Sequence, residues 1–124
     1  MTKDAIPENL RAAVQSYLDA LFLGDVEGFR SVFHPLAQLY SATEGKLVNL
    51  NVDAYLDLVG NRPSPQAKGD EREDEILEIT VASPTTAHAR VKDVYLPKKF
   101  IDDLTFTHLD GKWQIVSKVW HFDT

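Results

Sequence analysis

Asp110-Gly111 restricts the fold of this chain more than any other feature. The dipeptide lies between two long runs, Lys99 to Leu109 and Lys112 to Phe122, both rich in β-branched and aromatic residues. A type I′ turn needs positive φ at both central residues, and Asp-Gly supplies it at little cost, so the two runs predict one long β-hairpin. Two further runs precede it. Ile76 to Ala82 and Ala87 to Leu96 alternate with period 2 around the turn Ser83-Pro84-Thr85-Thr86. Ala89, Val91 and Tyr95 share one face of the second run, and His88, Arg90 and Lys92 share the other.

Before Gly69 the pattern is different. Leu10, Val14, Tyr17, Leu18 and Leu21 recur at three- and four-residue steps, the stripe of an amphipathic helix. Pro7 suits its first turn, and Gly24 suits the position just past its end. Asp25 is placed to cap a second, short helix that Pro35 stops, and Asn51 to cap a third over Val52 to Val59. Two short strand-like runs, Gln38 to Ala42 and Lys46 to Leu50, lie between the second and third helices. Asn61 to Gly69 reads as a loop within one domain spanning residues 1–124. Helices first and long antiparallel strands afterwards predict an α+β fold, with a curved antiparallel sheet packed against three N-terminal helices.

A two-residue turn sets the register of the last hairpin. Counted without irregularity, His108 opposes Trp113, Phe106 opposes Ile115, Thr105 opposes Val116, Asp103 opposes Lys118 and Ile101 opposes Trp120. Directly opposed residues share a face. One face is therefore expected to carry Asp103, Lys118 and Trp120, and the other Leu104, Phe106, Trp113, Ile115 and Val119. The charged pair among apolar neighbours predicts the polar centre of a pocket. Large apolar groups on both faces predict that a second copy of the chain covers the outer one, giving a homodimer.

Composition narrows the function classes. The net charge is −6, and six of the 19 acids fall in Asp70 to Glu78 beside a single arginine. With no basic patch, nucleic acid is not an expected partner. The acidic run lacks the ligand spacing and turn glycine of a calcium loop. The absence of cysteine removes disulfides, thiolate metal sites and cysteine nucleophiles. No histidines stand at ligand spacing, no glycine-rich phosphate loop follows a strand, and no serine sits in a nucleophile elbow. No metal or cofactor is therefore expected. The polar opening run Met1 to Glu8 has no apolar signal core, and no stretch approaches a membrane span, so a cytoplasmic protein with no membrane partner is expected.

Tyr17-Leu18-Asp19-Ala20-Leu21 with Gly24-Asp25, then Phe33-His34-Pro35, Phe100 to Phe106, Asp110 to Val116 and Lys118-Val119-Trp120-His121 together carry a family likeness. This order resembles the nuclear transport factor 2-like superfamily, the cone-shaped α+β fold shared with ketosteroid isomerase, scytalone dehydratase and polyketide cyclases. It is most similar to the branch labelled lumazine-binding, through Phe33 to Ala37, the loop Gly60 to Pro65 and the tail Lys118 to His121. The resemblance implies a cone with a pocket tyrosine at Tyr17, a late-strand acid at Asp103 or its neighbour Asp102, and a wall at Trp120. Where the isomerases keep their proton-abstracting carboxylate this chain has Ser41 or Tyr40, and a serine cannot act as that base without an activating partner.

His34, just before Pro35, is a candidate contact at the cone mouth or a helix-end residue. His88 and His108 read as exposed, and His121 as a dimer-contact or chain-end residue. The candidate ligand-binding set is Tyr17, His34, Asp103, Lys118 and Trp120. It implies a small-molecule-binding protein for a planar or apolar ligand with an anionic or carbonyl edge. The alternative is a cofactor-free isomerase, dehydratase or cyclase that uses Asp103 as its acid or base.

Overall fold

In the computed structural model, residues 5–124 are described, and the first four residues of the polar opening run lie outside them. The first helix, α1 (Glu8–Leu23), follows Pro7 and ends at Gly24, whose φ of 62° is the left-handed conformation that glycine adopts without penalty. Asp25 caps α2 (Val26–Val32) by accepting the Gly28 N–H at 3.0 Å, and Asn51 caps α3 (Val52–Gly60) by accepting the Ala54 N–H at 2.8 Å.

Six strands follow or interleave: β1 (Phe33–Ser41), β2 (Val48–Asn51), β3 (Glu75–Ser83), β4 (Thr86–Tyr95), β5 (Lys98–Leu109) and β6 (Lys112–Asp123). They form one sheet in the order β2-β1-β6-β5-β4-β3, curved and not closed. The α+β cone is as the sequence predicts, with one correction to the sheet: β1 runs parallel to β6, so the sheet is mixed. The chain leaves α2 directly into β1, and that short connection delivers the strand alongside the last one to be made.

The pairing of β1 with β6 is interrupted. Phe33 lies opposite Ile115 and Gln38 opposite Ser117, so β1 advances five residues while β6 advances two. Pro35 has no N–H for the ladder, which favours a bulge here. Within it His34 accepts the Leu36 N–H on Nδ1 at 3.0 Å, and Leu36 is exposed.

The concave face of the sheet packs on the helices. Tyr17, Phe29, Phe33 and Tyr55 form a cluster of edge-to-face and tilted rings with centroids 5.4–6.1 Å apart. Leu104, Phe106 and Ile115 complete the closed end of the cone. Towards Ser41, Tyr95 and Trp120 the filling stops, and a hollow begins.

Candidate functional site

The tail hairpin keeps its predicted register only near the turn. Leu109 opposes Lys112, His108 opposes Trp113 and Phe106 opposes Ile115, as counted from Asp110-Gly111. Between Ile115 and Ser117 the ladder admits an extra residue, Val116, and Thr105 then opposes Ser117. One inserted residue exchanges the two faces of everything beyond it. Leu104 now opposes Lys118, and Asp102 opposes Trp120.

The expected site is corrected accordingly. Lys118 and Trp120 do share a face, but the acid that joins them is Asp102. Asp103 opposes Val119 on the outer face, where Arg90 Nε donates to its Oδ1 at 2.8 Å and His88 Nε2 lies 3.1 Å from the same atom. Those contacts hold the Asp103 carboxyl below its ordinary range, with the Arg90 hydrogen bond the main cause. The pair is partly exposed, and such surface pairs contribute little stability. His34 is corrected too: it belongs to the bulge of β1 and not to the lining of the hollow. His108 is half-buried and not exposed, with its ring stacked on Trp113 at 4.6 Å.

Five buried groups meet at the base of the hollow. The Tyr17 hydroxyl donates to Asp102 Oδ2 at 2.6 Å. Lys118 Nζ lies 3.9 Å from that oxygen and donates to the Tyr55 hydroxyl at 3.4 Å. Three rings surround the ammonium, with Nζ at 4.6 Å from the centroid of Tyr55, 5.3 Å from Tyr17 and 5.5 Å from Trp120. Burial works against the lysine's charge, but Asp102 and Tyr55 outweigh it, and its pKa is held up. Tyr17 is pushed well above its ordinary value, by burial first and by the Asp102 charge second.

The fifth group, Asp93 on β4, is not among the residues the sequence singles out. It is 3% exposed, and burial, reinforced by the neighbouring Asp102 charge and a hydrogen bond to it, pushes its pKa up to about 10. Asp93 Oδ2 and Asp102 Oδ1 are both buried and without a hydrogen-bond partner. A protonated Asp93 has one hydrogen bond to donate to the neighbouring Asp102, the contact that helps to raise its pKa. The base of the hollow therefore contains a neutral acid, a carboxylate and an ammonium together. A sequence signal for Asp93 did exist, because the inward alternation of Ala87, Ala89 and Val91 continues onto it.

Above this base opens a cavity of about 340 Å³. Trp120, Phe100, Phe122, Tyr95, Leu50 and Leu58 form its walls, and buried Lys118, Asp93 and Tyr55 mark its floor. Arg62, Lys98 and Glu44 line the side that reaches solvent. Such a volume suits a small organic molecule, with apolar walls for its body and a few polar groups to orient it. No group of three or more metal-ligating side chains occurs among the described residues, and none of their helices is long and apolar enough to cross a membrane.

Comparison with known proteins agrees with the fold. A family model described as "Putative lumazine-binding" matches residues 6–121. The chain is 26% identical over 112 residues to the aldolase FrzH of a Cladobotryum species, covering 89% of this chain and 86% of that one. Among solved structures, an NTF-2 like protein of unknown function from Silicibacter pomeroyi superposes with a TM-score of 0.81 at 25% identity, covering 93% of both chains. Another from Methylobacillus flagellatus gives 0.77 at 25% identity, covering 100% of this chain and 99% of that one.

Proposed function

We propose, from the premise that this chain belongs to the "Putative lumazine-binding" family, that it is a small-molecule-binding protein whose ligand occupies the cone. The observation that carries this reading is the aromatic-walled hollow of about 340 Å³ with the Lys118 ammonium at its floor. A planar or apolar body fits between Trp120 and the aliphatic wall, and an anionic or carbonyl edge suits Lys118. Tyr17 acts from behind, through Asp102, and not as a direct contact. The cysteine-free composition accords with a cytoplasmic setting.

A panel of planar aromatic ketones and acids tests the reading by thermal unfolding. A ligand at about 100 times its Kd stabilises the fold by about 2.7 kcal/mol. The expected result is a saturable rise in melting temperature for members of the panel, abolished when Leu50→Trp fills the cavity. If no compound shifts the transition, or if Leu50→Trp leaves the shifts intact, ligand binding in the cone is overturned.

A second reading is favoured by one feature of the floor. A carboxylic acid kept neutral by its surroundings can donate a hydrogen bond to a developing oxyanion, the role such an acid has in a cofactor-free isomerase. Here Asp93 would be that acid, with Lys118 stabilising negative charge that develops on a substrate oxygen. The aldolase-named relative lends support to carbonyl chemistry. The same panel in deuterium oxide separates the readings, since an enzyme exchanges or converts its ligand and a binding protein returns it unchanged.

The homodimer belongs to this proposal as well. Val119, 48% exposed, and half-buried Ile101 lie on the outer sheet face that the helices leave bare. Val119→Glu is expected to move the sedimentation coefficient from that of a dimer to that of a monomer. A wild-type chain that sediments as a monomer at high micromolar concentration overturns the pairing.

A further inference from the structure

The two cations at the mouth of the cavity are held in place by aromatic rings and carry no carboxylate partner among the described residues. The Arg62 guanidinium lies 4.1 Å from the centroid of the Tyr95 ring, and Lys98 Nζ lies 4.4 Å from that of Phe122. Both rings are themselves walls of the cavity. Tyr95 is anchored in turn, its hydroxyl donating to the Pro63 carbonyl at 2.7 Å, which ties the loop carrying Arg62 to the end of β4. Cations fixed over rings at a concave opening keep their hydrogen-bond donors free for a ligand.

The charges around the opening have a definite balance. Lys118 at the floor is faced by Asp102, and Asp93 holds its proton. Lys68, which also stacks on Tyr95, is paired with Asp70 at 3.1 Å. Glu44 is the acid that lines the cavity near the mouth. Arg62 and Lys98 against Glu44 leave the opening positive in a chain whose net charge is −6. A local reversal of sign at a concave site attracts the opposite charge more than any overall field does.

We infer that Arg62 and Lys98 recognise the carboxylate of a ligand whose planar, apolar body fills the aromatic-walled cavity beneath them. The inference rests on the ligand-binding reading above and narrows it to monocarboxylates whose anionic edge sits at the mouth, which leaves Lys118 the neutral face or edge of the body. The guanidinium presents a planar fork that matches a carboxylate, and Lys98 supplies a second charge. The body of such a ligand points inward because the walls are apolar and the mouth is wet.

Three probes of one shape decide it: 2-naphthoate, 2-acetylnaphthalene and 2-naphthylmethylammonium, each titrated calorimetrically into the full chain. The carboxylate is expected to bind at least tenfold more tightly than the ammonium, with the ketone between them. In Arg62→Gln/Lys98→Met the ratio of carboxylate to ketone affinity is expected to collapse towards one. In the unmodified protein the carboxylate alone is expected to weaken about threefold or more between low and high salt, a readout that needs no variant. An ammonium that binds as well as the carboxylate, or a ratio that survives the double substitution, overturns the assignment of the mouth. Equal binding of all three probes overturns it while leaving the ligand-binding reading in place. Failure of all three to bind overturns both.

Discussion

Lys118→Met is expected to cost about 3–5 kcal/mol of folding stability, the usual result of leaving one member of a buried ion pair without its partner. Asp102 is 0% exposed, and with Lys118 gone its charge would be met only by neutral donors, the Tyr17 hydroxyl and the protonated Asp93. Replacing both members removes the problem. Lys118→Met/Asp102→Asn is expected to recover most of the loss, because two neutral side chains of similar volume leave no charge to desolvate. The single Asp102→Asn variant should fall between them. Asp93 sits beside the same ammonium, and without the Asp102 charge it can ionise and take over the pairing. Urea unfolding of the four proteins gives the coupling directly. A cost below about 1 kcal/mol for Lys118→Met would mean that the pair is solvated and that the floor of the cavity is not the dry polar centre described here.

Asp93→Asn is expected to flatten the alkaline side of the stability profile. The sign follows from which state holds the proton. An unfolded aspartate titrates near pH 4, whereas Asp93 in the fold titrates at about 10. Between those values the folded chain keeps a proton that the unfolded chain releases, so wild-type stability falls as pH rises. The contribution is whole below the unfolded value and lost on rising through the folded one. Asparagine has no such titration. Near pH 5 the variant and the wild type are expected to agree within about 1 kcal/mol, since one hydrogen bond is exchanged for another. Above pH 5 the gap is expected to widen in the variant's favour by up to about 1.4 kcal/mol per pH unit, so that by pH 9 the variant is clearly the more stable and melts at the higher temperature. A variant whose disadvantage grows with pH would show that Asp93 is ionised in the fold, and the neutral acid at the cavity floor would be lost with it.

Much of the architecture was legible because local rules carry it. The i, i+3, i+4 recurrence from Leu10 to Leu21 is α1, and these residues are its buried stripe. Asp25 and Asn51 cap the helices they precede because a short side-chain acceptor two or three residues before a free N–H needs no tertiary help. Asp110 and Gly111 both adopt positive φ, at 52° and 77°, which is the turn the dipeptide implied. The inward face of β4 was also readable. Alternation through Ala89, Val91 and Tyr95 passes over Asp93, so period 2 alone puts this acid on the inward face, and only its residue type sets it apart from its apolar neighbours.

Other features have no local marker. Neither Val116 nor Ser117 is a glycine, and nothing in Ile115 to Lys118 announces an extra residue in the ladder. The parallel seat of β1 beside β6 joins residues some eighty positions apart, and its interruption is hinted at only by Pro35.

What the amino-acid sequence determined alone is the order of elements, their caps, the hairpin turn and the residue types available for a pocket. These depend on φ preferences and on periodicities of 3.6 and 2, which act over a few residues. Only the tertiary structure decided which acid joins Lys118. A period of 2 makes the facing of every side chain depend on a single residue of register, and with the extra residue at Val116 both Trp113 and Ile115 before it and Lys118 after it are buried on the inner face. The insertion at Val116 turned Asp103 out to Arg90 and brought Asp102 in to Tyr17 and Lys118, and the chemistry of the site follows from that one step.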